Sequence, residues 1–246
     1  RRMALVLREV GGDGAPVDTG WMACDLPGSW AHYAAGLGLN GPISESSLNT
    51  LVAFYRGRER RCRVQVTPFQ HPSLIGGLET RGFQVVDREA VLMHPLSGLP
   101  ERPAPDDLVI RPLDPGNPDD LAAFSDAQGR AFFPEQGLPP GMRPIGERVA
   151  THPRVRLWLL EHRGLLVGSG GLEVYAHGGV LIAGGVAPEA RRLGIHSAFI
   201  RFRLNVARDL GLDYATIAST PGGPTERNAR RAGFATAYTQ HMLERP

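Results

Sequence analysis

The sequence predicts a two-part α/β chain, and three observations carry that reading. First, each half ends in the same order of elements. Arg63 to Leu96 and Tyr214 to Pro246 both read as a short β-type run, a Pro-containing turn, a short helix, Gly-Phe and an alternating strand. Gly82-Phe83 and Gly233-Phe234 hold matching places. The match is one of pattern more than identity, and helix-Gly-strand units also arise independently because glycine caps helices. Second, GGVLIAGGVAP is a short buried-type strand that runs through a glycine-containing loop into a long amphipathic helix. Third, SGLPERPAPDD, Ser97 to Asp107, is rich in Pro and polar residues, as linkers are. It divides the chain into domains at 1–100 and 107–246, both of ordinary size.

Bulk properties agree with a folded chain. The 246 residues are 42% hydrophobic and 21% charged, which supports a sizeable core and excludes a disordered chain. A net charge of +2 is too weak to imply nucleic acid or an anionic membrane. All 27 basic residues are arginine, whose fixed fork of donors suits phosphate. Cys24 and Cys62 are far apart and lack metal-ligand spacing, so neither a zinc site nor a disulfide framework is expected, and a reducing cytoplasm is the expected compartment. No apolar run reaches the roughly 18 residues of a membrane span. RRMALVLREV is too short and too charged for a signal peptide.

In the first half, Ser44 or Ser47 caps a helix whose apolar face includes Leu48, Leu51, Val52 and Tyr55. In the second, LVIRPL is a strand. Asn117 to Phe133 opens on a cap signal and has helical spacing. Pro134 to Gly146 reads as a loop and ERVATH as a short helical piece. VRLWLLEHR and LLVGSGGLEVY are β-type runs. In HSAFIRFRLNVARDLG, an apolar stripe of Ala198, Phe199, Phe202, Val206 and Leu210 leaves the arginines to the other faces.

The stretch PEARRLGIHSA joins the buried strand to that helix. The first turn of a helix has amides without intrahelical partners, and with the dipole these make an anion site. Gly194 allows φ > 0 and close approach, and Arg191 and Arg192 add charge. The plain alternative is a surface loop with two solvated arginines. The first half has no Arg-Arg-x-Gly at the corresponding place.

With its flanking order, this stretch resembles the GNAT superfamily of N-acetyltransferases. Arg191, Gly194 and His196 take the positions of the signature Gln/Arg-x-x-Gly-x-Gly/Ala. The resemblance covers residues 108–246, and the first half is similar to a degenerate copy in a tandem arrangement. It implies an α/β (α+β) fold with a mixed, mostly antiparallel sheet flanked by helices. It implies acetyl-CoA as cosubstrate. Val186 and Ala187, with Gly185, would pair with its pantetheine arm. Arg191, Arg192, Leu193, Gly194, Ile195, His196 and Ser197 would hold its pyrophosphate, and Asn228 would touch it. This sequence departs from the family at three places. His196 replaces a small residue, so its ring either points away or joins the phosphate site. Ala229 stands where many relatives place a tyrosine acid. The buried strand has no carboxylate before Glu189.

Glu173 and Tyr175, two apart on a strand, share a face, and with Ser219 and Tyr238 they are the remaining acid-base candidates. Glu173 and Tyr238 are the catalytic expectation, although a solvated face for Glu173 and half-buried packing for the tyrosines are the plainer readings. The leading expectation is an acetyl-CoA-dependent N-acetyltransferase acting on a primary amine of a small molecule or an amino terminus, without metal, nucleic acid or membrane. The alternative is a non-catalytic acyl-CoA-binding or interaction module. Homodimerisation is left open.

Overall fold

A computed structural model describes residues 1–98 and 104–246. Of the expected linker Ser97–Asp107, residues 99–103 lie outside the described residues. In chain order the first half holds α1 (Arg2–Val10), β1 (Asp13–Val17), β2 (Gly20–Cys24), β3 (Ala34–Ala35), α2 (Glu45–Arg56), β4 (Cys62–Val66), α3 (Pro72–Glu79) and β5 (Gln84–His94). The second holds β6 (Leu108–Pro112), α4 (Pro118–Phe132), α5 (Met142–Ala150), β7 (Val155–His162), β8 (Leu165–Val174), β9 (Gly178–Val186), α6 (Ile195–Asp209), β10 (Tyr214–Ser219), α7 (Pro224–Arg231) and β11 (Ala235–Arg245). Among the described residues no helix is long and apolar enough to cross a membrane.

Local chemistry sets the helix starts. The Asn117 side chain accepts from the Asp119 amide at 3.0 Å, with Pro118 at the first helical position. Ser44, not Ser47, caps α2 by accepting from the Ser47 amide at 3.1 Å. The expected short piece ERVATH is a longer helix. α5 starts at Met142 and takes in Pro144, because proline is tolerated within the first turn, where amides lack partners anyway.

Two compact units result, Arg1–Glu89 with Tyr238–Pro246, and Ala90–Ala237. The first unit orders its strands β1-β2-β3-β4-β11, with β3 and β4 its parallel pair. Its core packs Leu48, Leu51, Phe54 and Tyr55 of α2 with Leu74 and Leu78 of α3, Val64 and Leu243. His241–Arg245 of β11 pair antiparallel with β4.

The second unit orders its strands β5-β10-β9-β8-β7-β6, antiparallel throughout except for β10 beside β9. Ala90–His94 of β5 supply its edge next to β10. Each unit thus contains one strand–loop–helix–strand crossover, β3-α2-β4 or β9-α6-β10, followed by a short helix. The last strand of each half pairs with the crossover's second strand in the other half's unit. One face of the second sheet packs on α6 through Phe199, Leu204 and Ala207. The other buries Phe124, Ala150, Leu157 and Leu159 beneath α4 and α5.

Two irregularities interrupt the pairing of β9. Pairing with β10 runs from Tyr214↔Gly178 to Ile217↔Leu181 and stops, so beyond Leu181 the two strands part. On its other side the register slips, with Ser169↔Gly185 followed by Gly171↔Ile182. Ala183 and Gly184 therefore oppose Gly170 alone, which is a bulge, and Ala183 takes φ 51°.

The α6 stripe differs from the expected one. Its fully buried residues are Ile195, Ala198, Phe199, Ile200, Arg203, Leu204 and Ala207, while Phe202, Val206 and Leu210 are only partly covered. Arg203, expected on an outer face, is 0% exposed. Its guanidinium lies 4.1 Å over the Phe199 ring one turn back, and carbonyls at the bulge accept its protons.

Candidate functional site

The bulge and the parted strands open a cleft of about 670 Å³ at the end of β9. It is walled by Gly184–Val186, by Ala131 and Phe132 at the end of α4, by the loop into α6, and by Thr225, Arg227, Asn228 and Arg231 of α7. Arg191, Arg192, Arg227 and Arg231 line it, and among the described residues no carboxylate does.

The loop has the backbone shape of an anion cradle. Gly194 is the N-cap of α6 at φ 79°, and no side chain caps the helix. Arg192 also has positive φ, 64°, so left-handed residues flank Leu193. Among the described residues a Cβ at Gly194 would touch only Pro105 Cγ, at 3.6 Å, so the requirement for glycine there is conformational.

The two loop arginines do different things. Arg191 donates from Nε to the Val186 carbonyl at 3.2 Å and from Nη2 to the Ala131 carbonyl at 2.9 Å. It ties the end of β9 to the end of α4. Arg192 is exposed and has no hydrogen bond or ion pair among the described residues. Of the two residues expected along an extended ligand arm, the Ala187 amide donates to the Val167 carbonyl at 2.8 Å. The Val186 carbonyl is the one Arg191 engages.

His196 neither points away nor reaches out as a charge. Arg231 donates to Asn228 Oδ1, which turns Asn228 Nδ2 toward His196 Nδ1 at 2.8 Å. The ring's other nitrogen then donates to the Gly184 carbonyl. Burial, and then the charge of Arg203, push the imidazole down to about 4, so it is neutral near pH 7. His196 thus joins α6, α7 and β9 around the cleft.

Beneath the bulge lies a polar layer that sequence reasoning missed. Gln128 Nε2 donates to Ser169 Oγ and to the Ala183 carbonyl, both at 2.8 Å. Arg203 Nη1 donates to the carbonyls of Gly171 at 3.1 Å and Ile182 at 3.3 Å, and Nε to Phe199 at 3.3 Å. Among the described residues Arg203 Nη2 is buried without a partner. A Cβ on Gly184 would meet that atom at 2.9 Å, so only glycine lets the strand lie this close. The signal for Arg203 was its place one turn after Phe199, inside an apolar stripe.

The expected acid-base residues lie elsewhere. Glu173 is buried on β8, pairs across the sheet with Val155 on the α4/α5 face, and accepts from the Tyr175 hydroxyl. The Arg154 guanidinium stands 5.0 Å over the Tyr175 ring. Glu173 is not among the cleft residues. Tyr238 belongs to the first unit, where its ring meets Phe69 edge-on at 5.0 Å. Ser219 is buried at the end of β10 where it leaves β9, and its Oγ has no partner among the described residues. Ala229 is fully buried. Cys24 and Cys62 are free, and among the described residues no group of His, Cys, Asp and Glu could hold a metal ion.

No protein-family model and no curated protein sequence matches this chain. Solved structures do. A GCN5-related N-acetyltransferase from Kribbella flavida superposes with TM-score 0.75 at 16% identity, covering 100% of this chain and 95% of that one. A second, from Sphaerobacter thermophilus, gives 0.63 at 18%, covering 87% of this chain and 73% of that one. A tandem GNAT protein from the clavulanic acid biosynthesis pathway gives 0.59 at 15%, covering 86% and 74%. At these identities the likeness shows the fold, and the chain has the mixed α/β fold of the GCN5-related N-acetyltransferases.

Proposed function

We propose that this chain is an acetyl-CoA-dependent N-acetyltransferase acting on a primary amine of a small molecule or an amino terminus. The observation that carries the reading is the cleft itself, which among the described residues has four arginines, no carboxylate and a helix N-terminus without a side-chain cap. Those features fit a polyanionic ligand with an extended arm. The amides from Leu193 to Ser197 would hold the pyrophosphate, with Arg192, Arg227 and Arg231 as counter-charges. The edge of β9 that β10 leaves free, up to Val186 and Ala187, would take the pantetheine arm. Asn228, oriented by Arg231, would complete the wall.

When bound, acetyl-CoA supplies a thioester whose acyl carbon an amine nitrogen attacks, forming the amide C–N bond and releasing the thiolate with the C–S electron pair. The chain's part is largely position and field. Arg191 and His196 fix the end of β9 against α4, α6 and α7, and proximity of this kind supplies much of the rate. Glu173, with Tyr175 on its carboxylate, stands outside the cleft wall on the α4/α5 face of the sheet, and we assign it to receive the amine's proton only through a relay of waters. Tyr238 has no part in this reading.

The deciding experiment is calorimetric titration with acetyl-CoA of wild type and Gly194→Trp, followed by an amine panel. Micromolar binding lost in the variant, with one amine acetylated, supports the enzyme. A second reading is favoured by the buried Ala229 and by a β9 with no titratable side chain. It is a non-catalytic acyl-CoA binder, and it expects the same binding with no amine acetylated.

A further inference from the structure

Among the described residues, one buried cation has no counter-ion. Arg203 is completely enclosed, and its hydrogen-bond acceptors are neutral carbonyls. Burying a charge without an opposite charge is costly, and such cations normally have a carboxylate beside them. Desolvation alone pulls this guanidinium down to about 9, which leaves it charged near pH 7.

The groups around it confirm the imbalance. His196, on the same helix, is neutral. From α4 comes Gln128, an amide, while Arg130 pairs with Glu189. Glu173 of β8 lies on the opposite face of the sheet, with Val155. The residues of β9 and β10 include no carboxylate. From α7 come Arg227 and Arg231, and its Glu226 is engaged by the Gly222 amide and Arg230.

The free proton donor has a direction. Nη2 is the guanidinium nitrogen nearest a Cβ built on Gly184, at 2.9 Å, and Gly184 is wall of the cleft. Of the β9 residues in the cleft wall, Gly184 is the one farthest along the chain from the Gly194 loop, so an arm laid from that loop along the free edge of β9 would end beside it. In acyl-CoA that far end is the sulfur.

We infer that Arg203 is the built-in counter-charge for the CoA thiolate, placed behind Gly184 in a chain whose Ala229 can donate no proton to the leaving sulfur. The inference rests on the reading of the cleft as a CoA site. When the thioester breaks, the sulfur keeps the electron pair and leaves as thiolate. A positive field at that end stabilises it without protonation, and the proton is taken up later from water.

The test is equilibrium binding and needs no turnover. CoA and desulfo-CoA differ only at the sulfur, so titrating protein groups cancel in the ratio of their affinities. A bound thiol with lowered pKa makes that ratio rise with pH between its bound value and the pKa of the free CoA thiol. For wild type we expect at least a tenfold rise from pH 6 to pH 9, because the ratio gains about a factor of ten for each pH unit by which binding lowers the thiol pKa. Arg203→Met should flatten the rise while keeping desulfo-CoA affinity, and Arg203→Lys should keep part of it. A flat ratio in wild type overturns the inference even if Arg203→Met does not fold, and so does an undiminished rise in that variant. If wild type binds neither ligand, the cleft reading falls as well. Desulfo-CoA binding with a flat ratio overturns only the role of Arg203.

Discussion

Asn228 Nδ2 lies 2.8 Å from His196 Nδ1, and this contact ties the short helix α7 to the first turn of α6 across the mouth of the cleft. The imidazole is thereby a strut. Asn228→Ala removes one side of it and leaves a part-buried nitrogen without its partner, which costs about 1 kcal/mol. Denaturant unfolding checks the stability. Acetyl-CoA titration should show weakened binding in the same variant.

His196 also makes the fold sensitive to acid. Its folded value of about 4 is below the usual 6.5 of an unfolded histidine. The unfolded chain therefore binds the proton first. The contribution is fully present above pH 6.5 and is lost as pH falls toward 4. Its size is up to about 3 kcal/mol. Urea unfolding at pH 7 and pH 4.5 should show a larger loss for wild type than for His196→Gln.

Arg191 and Arg192 are neighbours with separable effects. Arg191→Met removes the bonds to the Val186 and Ala131 carbonyls, and should lower stability by about 1–3 kcal/mol. Arg192→Met removes an exposed charge, and should leave melting nearly unchanged while weakening acetyl-CoA binding severalfold, more so at low salt. Calorimetry and thermal melting on both variants separate the two.

Gly194→Ala meets no steric obstacle, yet it should cost about 1–2 kcal/mol, because an L side chain at φ 79° is strained. The expected result is a lower melting temperature that acetyl-CoA restores only in part.

In the first unit the loop before α2 is already filled by the chain. Asp18 Oδ2 accepts from the Gly38 amide at 2.6 Å, Thr19 Oγ1 from the Leu39 amide at 3.2 Å, and Ser44 caps the helix. The second unit's counterpart ends at Gly194 with no such cap. Titration should give one acetyl-CoA per chain. A stoichiometry of two would contradict this.

Much of this protein was legible before its structure. Repeated helix, Gly-Phe and strand patterns, the caps at Ser44 and Asn117, and the glycine between a buried strand and a long helix are local signals. Each acts through backbone conformation or hydrogen bonds within a few residues, so the chain writes them in adjacent letters. The positive-φ glycine that opens α6 belongs to this class. What the tertiary structure decided depends on residues far apart in sequence. Arg191 reads as charge for a ligand until Ala131 and Val186 are seen to accept its protons. Arg203 reads as a surface arginine until the bulge at Ala183 and Gly184 brings β8 and β9 carbonyls around it. His196 reads as an anomaly until Asn228 and Gly184 engage both of its nitrogens. Strand register and the parting of β9 from β10 arise from pairing along the whole sheet, and no short stretch of sequence encodes them. They alone determine which polar groups face the cleft and which are held behind it.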